Sequence, residues 1–212
     1  MARRKKEPKS VHREKIASAA SVLFMEKGIA ATSMDDIAKA AGYSKATLYV
    51  YFENKEEMVG ILVLDSMKKL YHYIASALEQ QETTKEQYNF ICRGLVQYQE
   101  EFPFYFQMVL DKINIDFERR DYLPEEKETY QIGEEINEKI KEFLISGIDK
   151  GDLRNDLKIM PAVFGFWGML SGLIQLADNK EEYIKKTMGL SKVQFLEHGF
   201  HMLYCSIADS GE

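Results

Sequence analysis

The chain has 212 residues and a formal net charge of −6. This length is enough for one large domain, or for a small domain and a larger one, to bury a hydrophobic core. Cys92 and Cys205 are far apart and form no Cys-x-x-Cys pair, so neither a zinc site nor a disulfide framework is indicated and a reducing cytoplasm is expected. The basic N-terminus has no apolar signal core, so we expect no export signal.

Charge is distributed unevenly along the chain. Residues 1–52 hold 10 Lys and Arg against 5 Asp and Glu, a net charge of +5, whereas the remainder holds 18 against 29, a net charge of −11. A basic first part is attracted to polyanionic DNA because it releases condensed counterions. A solvated basic tail explains this composition equally well.

The first predicted helix covers residues 10–27. Ile16, Ala20, Leu23 and Phe24 follow one another at i, i+4, i+7 and i+8, which places an apolar stripe along it. Gly28 is suited to cap its C-terminus.

Three further helices follow, each preceded by a residue that can cap it. Ser33 precedes MDDIAKAA, whose early aspartates suit the positive end of the helix dipole, and Gly42 ends this helix. Ser44 precedes KATLYVYF, and Asn54 precedes a long helix that begins KEEMVGILVLDSMKKLYHYIASAL.

Beyond Gln81 the pattern remains helical and no strand pattern is found. The predicted fold class is therefore all-α. Helices are predicted over 84–101, from Pro103, over 124–150, over 159–177 and over 192–207.

The stretch AKAAGYSKA places a tight turn at Gly42 between two short helices. In a helix-turn-helix, one such helix crosses the DNA backbone and the next lies in the major groove. Hydroxyl, phenol and lysine side chains can donate to phosphate, and small residues let the backbone approach the bases. The residues expected to face outward are Lys45, Ala46, Thr47, Tyr49 and Tyr51.

The segment from Thr32 to Met58, TSMDDIAKAAGYSKATLYVYFENKEEM, resembles the DNA-binding signature of TetR-type repressors. The resemblance covers about residues 10–60, and Tyr51 departs from it because many members carry histidine there. It implies phosphate contacts from Thr32 and Ser33, an approach to the bases by Ser44, Lys45, Ala46 and Thr47, and a grip on the backbone by Tyr49, Tyr51 and Lys55.

The resemblance also implies a division into two domains. A three-helix DNA-binding domain with a helix-turn-helix is expected over 1–54, and a larger helical domain for effector binding and dimerisation over 55–212. The implied partners are double-stranded operator DNA, a second copy of the chain and a small-molecule effector, in the cytoplasm, without a membrane or a cofactor. An effector-independent dimeric DNA-binding protein is the alternative.

The aromatic residues of the third helix have a second interpretation as core residues. We expect this for Phe52. Tyr49 follows Leu48 directly, and successive helical side chains turn by about 100°, so Tyr49 is expected to contact DNA instead.

The stretch IMPAVFGFWGMLSGLIQLA, residues 159–177, approaches the roughly 20 residues that span a bilayer. Pro161 and three glycines interrupt it, which favours a dimer helix paired with LSKVQFLEHGFHMLYCSI in a four-helix bundle. The candidate interface residues are Phe164, Gly168, Ser171, Phe200 and Leu203.

Aromatic and methionine side chains in the middle helices can line an apolar pocket, although any helical core contains them. The candidate pocket residues are Phe106, Met108, Phe143 and Trp167. Four charged side chains could orient the polar end of a ligand, although a solvent-exposed helix face explains their presence equally well. They are Asp111, Asp116, Glu118 and Arg119.

Enzyme and metal interpretations have little support. The sequence lacks a Gly-rich phosphate loop, Gly-x-Ser-x-Gly and His-Glu-x-x-His, so we expect no catalytic residue, although a helical enzyme with an incidental helix-turn-helix remains an alternative. His198 and His201 could share a metal ion, but we expect surface or interface histidines because no ligand companions are evident.

Overall fold

The computed structural model describes residues 8–109 and 123–209, apart from the side chains of residues 108 and 109. Throughout these residues the regular elements are helices, so the all-α prediction is confirmed. They are α1 (Lys9–Ala31), α2 (Met34–Ala41), α3 (Lys45–Tyr51), α4 (Lys55–Gln80), α5 (Thr84–Glu101), α6 (Pro103–Val109), α7 (Pro124–Asp149), α8 (Ile159–Asn179), α9 (Glu181–Met188) and α10 (Lys192–Ile207).

The chain forms two compact units. The described part of the first lies within Met1–Ser66 and Asp116–Thr129, and that of the second within Met67–Ile115 and Tyr130–Glu212. The first unit thus contains α1 to α3, the beginning of α4 and the first residues of α7. The domain boundary predicted after residue 54 falls inside this unit and stays a prediction.

Local capping determines where the helices of the first unit begin and end. Ser33 and Asp36 form a capping box at α2, and Gly42 ends that helix in the left-handed region with φ 75°. Ser44 caps α3, and the Asn54 side chain accepts from the Glu57 amide in the first turn of α4. Each of these predicted caps is confirmed.

The end of α1 differs from the prediction by one helical turn. Gly28 interrupts the helix with φ 78° and ψ 160°, as its position predicted. Residues 29–31 then continue as a further turn before Thr32. Sequence patterning missed this turn because it is too short to show a periodicity of its own.

One hydrophobic core holds α1, α2, α3 and the start of α4 together. It includes Phe52, which is 1% exposed, so the expectation that Phe52 is a core residue is confirmed. The buried members of this core are Ile16, Ala17, Ala20, Phe24, Ile37, Ala38, Ala41, Leu48, Phe52 and Met58.

In the second unit, α5, α8 and α10 pack against one another. Gly199 lets α10 approach α8, since a Cβ atom there would lie 2.5 Å from Leu173 Cδ2. By contrast, Gly168 and Gly172 of α8 have open space around them. The short helix α9 was not predicted, because Ile184 is its only buried residue and leaves no apolar stripe to read.

Among the described helices, α8 is long enough and apolar enough to span a membrane by length and composition. Its most apolar 18-residue window has a mean hydropathy of 1.5 and is 28% buried. A single helix of this kind is weak evidence for a membrane, because helices of soluble proteins also pass such a test.

Candidate nucleic-acid interface

The helix-turn-helix begins with a tightly bonded N-terminus at α2. Ser33 Oγ accepts from the Asp36 amide at 3.2 Å, and Asp36 Oδ2 accepts from the Ser33 amide at 3.0 Å. Lys27 Nζ donates to the same Asp36 oxygen at 2.9 Å. The Lys27 ammonium, together with the Ser33 bonds, holds the pKa of Asp36 well below its usual range.

The start of α3 is equally well defined. Ser44 Oγ accepts from the Thr47 amide at 3.1 Å and lies 2.8 Å from Thr47 Oγ1. Leu48 is fully buried, and this anchors one face of the helix in the core. The opposite face exposes Lys45, Ala46, Tyr49 and Val50.

The exposed face of α3 carries side chains of the kinds that can contact DNA. Tyr49 is 49% exposed, in keeping with the expectation that it turns away from Leu48. Val50 is 66% exposed and was not identified from the sequence as a candidate. An exposed valine on such a helix can contact a thymine methyl group in the major groove.

Two lysines form ion pairs with the same aspartate, Asp35, next to α3. Lys45 Nζ lies 3.5 Å from Asp35 Oδ1, and Lys39 Nζ lies 3.7 Å from Asp35 Oδ2. The Lys45 side chain is 58% exposed, so it remains accessible to a phosphate group. Exposed ion pairs of this kind contribute at most about 1 kcal/mol, and a phosphate can replace the carboxylate as partner.

Tyr51 belongs to an aromatic group that sequence analysis did not identify. Its ring lies 5.2 Å from the His12 ring and 6.2 Å from the Tyr43 ring. His12 Nδ1 lies 2.7 Å from the Tyr43 hydroxyl, and Lys15 Nζ lies 5.7 Å from the Tyr43 ring centroid. His12 and Tyr43 are 31 residues apart, so no local pattern signals their contact.

Two residues expected to contact phosphate already have partners within the chain. The Thr32 hydroxyl donates to the Gly28 carbonyl at 2.8 Å, and Thr32 is 1% exposed. Lys55 Nζ donates to the carbonyl oxygens of Ile29 at 2.7 Å and Thr32 at 2.8 Å. Both side chains therefore fasten the end of α1 to the elements that follow it.

The predicted pocket residues of the second unit lie mainly in its core. Phe106 and Phe143 are each 2% exposed. Trp167 is half-buried, and its indole N–H donates to Asn137 Oδ1 at 3.1 Å. The Met108 side chain and the polar group Asp111, Asp116, Glu118 and Arg119 lie outside the described residues.

The predicted interface residues differ in exposure. Phe164 is 56% exposed and Gly168 is exposed, whereas Phe200 and Leu203 are half-buried. Ser171 is 2% exposed, so its side chain is already enclosed within the protomer.

One histidine has a neighbour that sequence analysis overlooked. Cys205 Sγ lies 3.7 Å from His201 Nε2, one helical turn further along α10. The described residues nevertheless contain no group of three or more His, Cys, Asp or Glu side chains that could hold a metal ion.

Comparison with known proteins finds similar proteins among bacterial regulators. The family model described as "Bacterial regulatory proteins, tetR family" matches residues 16–60, which contain α2, α3 and most of α1. The HTH-type transcriptional regulator TtgR of Pseudomonas putida is 38% identical over 82 residues, which is 39% of this chain and 39% of TtgR. These matches support a TetR-type transcriptional regulator, with the family model matching the N-terminal part of the chain.

Two longer similarities extend beyond residues 16–60. The HTH-type transcriptional regulator YfiR of Bacillus subtilis is 24% identical over 191 residues, covering 88% of this chain and 90% of YfiR. The crystal structure of PfmR from Thermus thermophilus is 27% identical, with a TM-score of 0.66, and covers 91% of this chain and 94% of that one. The relatives are regulators of transcription rather than enzymes.

Proposed function

We propose that this protein represses transcription by binding a palindromic operator as a homodimer, and that a small apolar or aromatic ligand releases it. The observation that carries the proposal is α3, a capped helix anchored by Leu48 whose other face exposes Lys45, Ala46 and Tyr49. Such a helix fits the major groove, and TetR-type regulators typically bind operator DNA as dimers.

The proposed DNA contacts follow from exposure and chemistry. Ser44, Lys45, Ala46 and Thr47 at the start of α3 approach the bases, and the amides there favour a phosphate. Ser33, Tyr49 and Tyr51 contact the backbone. Thr32 and Lys55 support this surface through the carbonyl groups that they bind.

The second copy is proposed to pack on α8 and α10. The exposed apolar face of α8 includes Phe164, at 56% exposure, and the open glycine Gly168. Burial of such a face against its symmetry mate removes apolar surface from water and forms a four-helix bundle. Phe200 and Leu203 of α10 complete the interface, whereas Ser171 is omitted because it is buried within the protomer.

The ligand is proposed to act on the spacing of the two recognition helices. Two copies of α3 read successive major grooves when they lie about 34 to 36 Å apart. A ligand among the aromatic residues of the second unit, such as Phe106, Phe143 and Trp167, would favour a conformation with another spacing. Full reversal of a two-state equilibrium requires about 5.5 kcal/mol of differential affinity. The proposed location is the cytoplasm, where the operator lies.

The test is a fluorescence anisotropy titration of the purified protein with the DNA upstream of its own gene, beside scrambled DNA, across a salt series. Tight binding to the upstream DNA, a steep salt slope and two protomers per site are expected. Equal weak binding to both duplexes would contradict the assignment of that operator, and no preferred duplex in a random library would contradict operator recognition itself.

A second candidate is a dimeric regulator without an effector. A ligand that binds only the folded state must raise its melting temperature. Screening small apolar molecules for a joint rise in melting temperature and loss of operator binding therefore separates the two candidates. The enzyme alternative predicts no operator footprint.

A further inference from the structure

Arg13 of α1 contacts the C-terminal end of the recognition helix. Its guanidinium donates to the carbonyl oxygen of Tyr51, the last residue of α3, and its Cζ lies 4.4 Å from the centroid of the Phe52 ring. The last carbonyls of a helix have no intrahelical donor, and a cation there also suits the helix dipole. Arg13 thus satisfies the end of α3 and packs on the residue that caps it.

Two carboxylates from other helices hold the same guanidinium. Glu57 of α4 lies 3.8 Å from Arg13 Nη1, and Glu125 in the first turn of α7 accepts from Nη2 at 3.2 Å. The side chains of Arg13, Glu57 and Glu125 are 24%, 15% and 23% exposed. The pairs are therefore partly withdrawn from solvent, and the planar guanidinium has separate directions for each partner.

The two carboxylates are not equivalent. Glu57 also accepts from the Glu53 amide at 3.3 Å, which ties it to the start of its own helix. Glu125 has the shorter contact with Arg13, and its helix α7 continues to Asp149. Glu125 is therefore the partner that fixes the guanidinium from outside the four N-terminal helices.

We propose that Arg13 is a positioning residue for the recognition helix and that Glu125 acts on operator binding through it. This rests on the proposed function, since it concerns how α3 is held for that function. The guanidinium is engaged by a carbonyl, two carboxylates and a ring, so its contribution to DNA binding is orientation of α3 rather than contact with phosphate. Without Glu125, Glu57 is the remaining carboxylate of the pair, and the Arg13 guanidinium is less firmly oriented toward the Tyr51 carbonyl.

Electrostatics gives the opposite expectation for a change at Glu125, which makes the test decisive. Replacing Glu125 by glutamine removes a negative charge from the DNA-binding unit. Charge alone then predicts tighter binding to every DNA sequence. The positioning role predicts weaker binding to the operator.

The experiment uses the full chain and the tightest duplex that the wild-type protein selects from a random-sequence library. Anisotropy titrations with this duplex and a scrambled one, at several salt concentrations, compare Glu125→Gln, Arg13→Gln, Arg13→Lys and the double variant Arg13→Gln/Glu125→Gln. Glu56→Gln is the matched control, because Glu56 is an exposed carboxylate in the first turn of α4. Thermal unfolding sets a temperature at which all variants are folded.

We expect Glu125→Gln to weaken operator binding about 3- to 10-fold and Arg13→Gln about 10- to 30-fold, in the range that local positioning contacts control. Binding to scrambled DNA and the salt slope should stay unchanged, and Glu56→Gln should bind no more weakly than the wild type. The double variant should match Arg13→Gln, because in this proposal Glu125 acts through Arg13. Arg13→Lys should recover only part of the loss, since lysine lacks the fork.

Three results would overturn the inference while leaving the proposed function intact. They are wild-type or tighter operator binding by Glu125→Gln, additive losses in the double variant, and a salt slope that falls by about one for Arg13→Gln, which indicates a direct phosphate contact. If the wild-type protein selects no duplex, the proposed function itself fails, and the inference fails with it.

Discussion

Lys55 offers a test that separates a structural lysine from a DNA-contacting one. The family resemblance assigns it to the DNA backbone, whereas its ammonium donates to the carbonyl oxygens of Ile29 and Thr32 at 2.7 and 2.8 Å. Replacement by methionine keeps the apolar stem and removes both hydrogen bonds. The two carbonyls at the junction of α1 and α2 then lose their charged donor.

The expected cost follows from these two bonds. A hydrogen bond to a charged group contributes about 1.5 to 3 kcal/mol, and because Lys55 is half-buried we take about 1 kcal/mol for each. Lys55→Met should therefore lower the free energy of unfolding by about 2 kcal/mol. For a chain of this size that corresponds to a fall in melting temperature of about 4 to 8 °C, measured by circular dichroism.

Lys45→Met is the matched control, because Lys45 is 58% exposed and its only ion-pair partner among the described residues is Asp35. It should leave the melting temperature within about 1 °C, weaken operator binding and lower the salt slope by about one. The reasoning is refuted if Lys55→Met keeps wild-type stability while lowering the salt slope, since Lys55 would then act on phosphate as the family resemblance implies.

Three further predictions address the other surfaces. Tyr49→Ala should weaken operator binding by about 1 to 3 kcal/mol in anisotropy titrations without changing the melting temperature, because Tyr49 is exposed; a lower melting temperature would place it in the core. Phe164→Glu should shift sedimentation toward the monomer, since it puts a charge on the exposed α8 face, and an unchanged dimer would move the interface elsewhere. Asp36→Asn should be less stable than wild type at neutral pH. Because the folded-state pKa of Asp36 lies below its ordinary value, the stability that it contributes is present above about pH 4 and is lost as the pH falls through the folded pKa. The two proteins should therefore converge in acid denaturation, and a constant difference down to pH 2 would contradict this origin.

The sequence predicted what depends on neighbours along the chain. Ser33 and Ser44 were identified as caps because an N-cap side chain binds an amide only three residues away, and both bonds are present at 3.2 and 3.1 Å. The break at Gly28 and the end of α2 at Gly42 follow from φ values that glycine adopts readily. Phe52 was expected to be a core residue, and it is 1% exposed.

Contacts between residues distant in sequence could not be predicted in this way. Arg13 and Glu125 are 112 residues apart, and no periodicity relates them. The family resemblance assigned Thr32 and Lys55 to the DNA backbone, but their hydroxyl and ammonium groups can donate to backbone carbonyls as well as to phosphate, and here they donate to carbonyls. Only the packed structure shows which partner is within reach.

The proposed homodimer would use two exposed faces, one on α3 and one on α8. A helix of seven residues presents few side chains to the bases, and each good base contact contributes only about 1 to 3 kcal/mol of discrimination. A single protomer would therefore discriminate only weakly between DNA sequences. In the most apolar 18-residue stretch of α8, only 28% of the residues are buried. Burial of this surface against its symmetry mate would join two such protomers. In the proposed homodimer, both copies of α3 would have to dock at a fixed separation, so a shift of α3 within either protomer would weaken their simultaneous docking. That is why the contacts of Arg13 at the end of α3 should affect operator affinity without touching DNA.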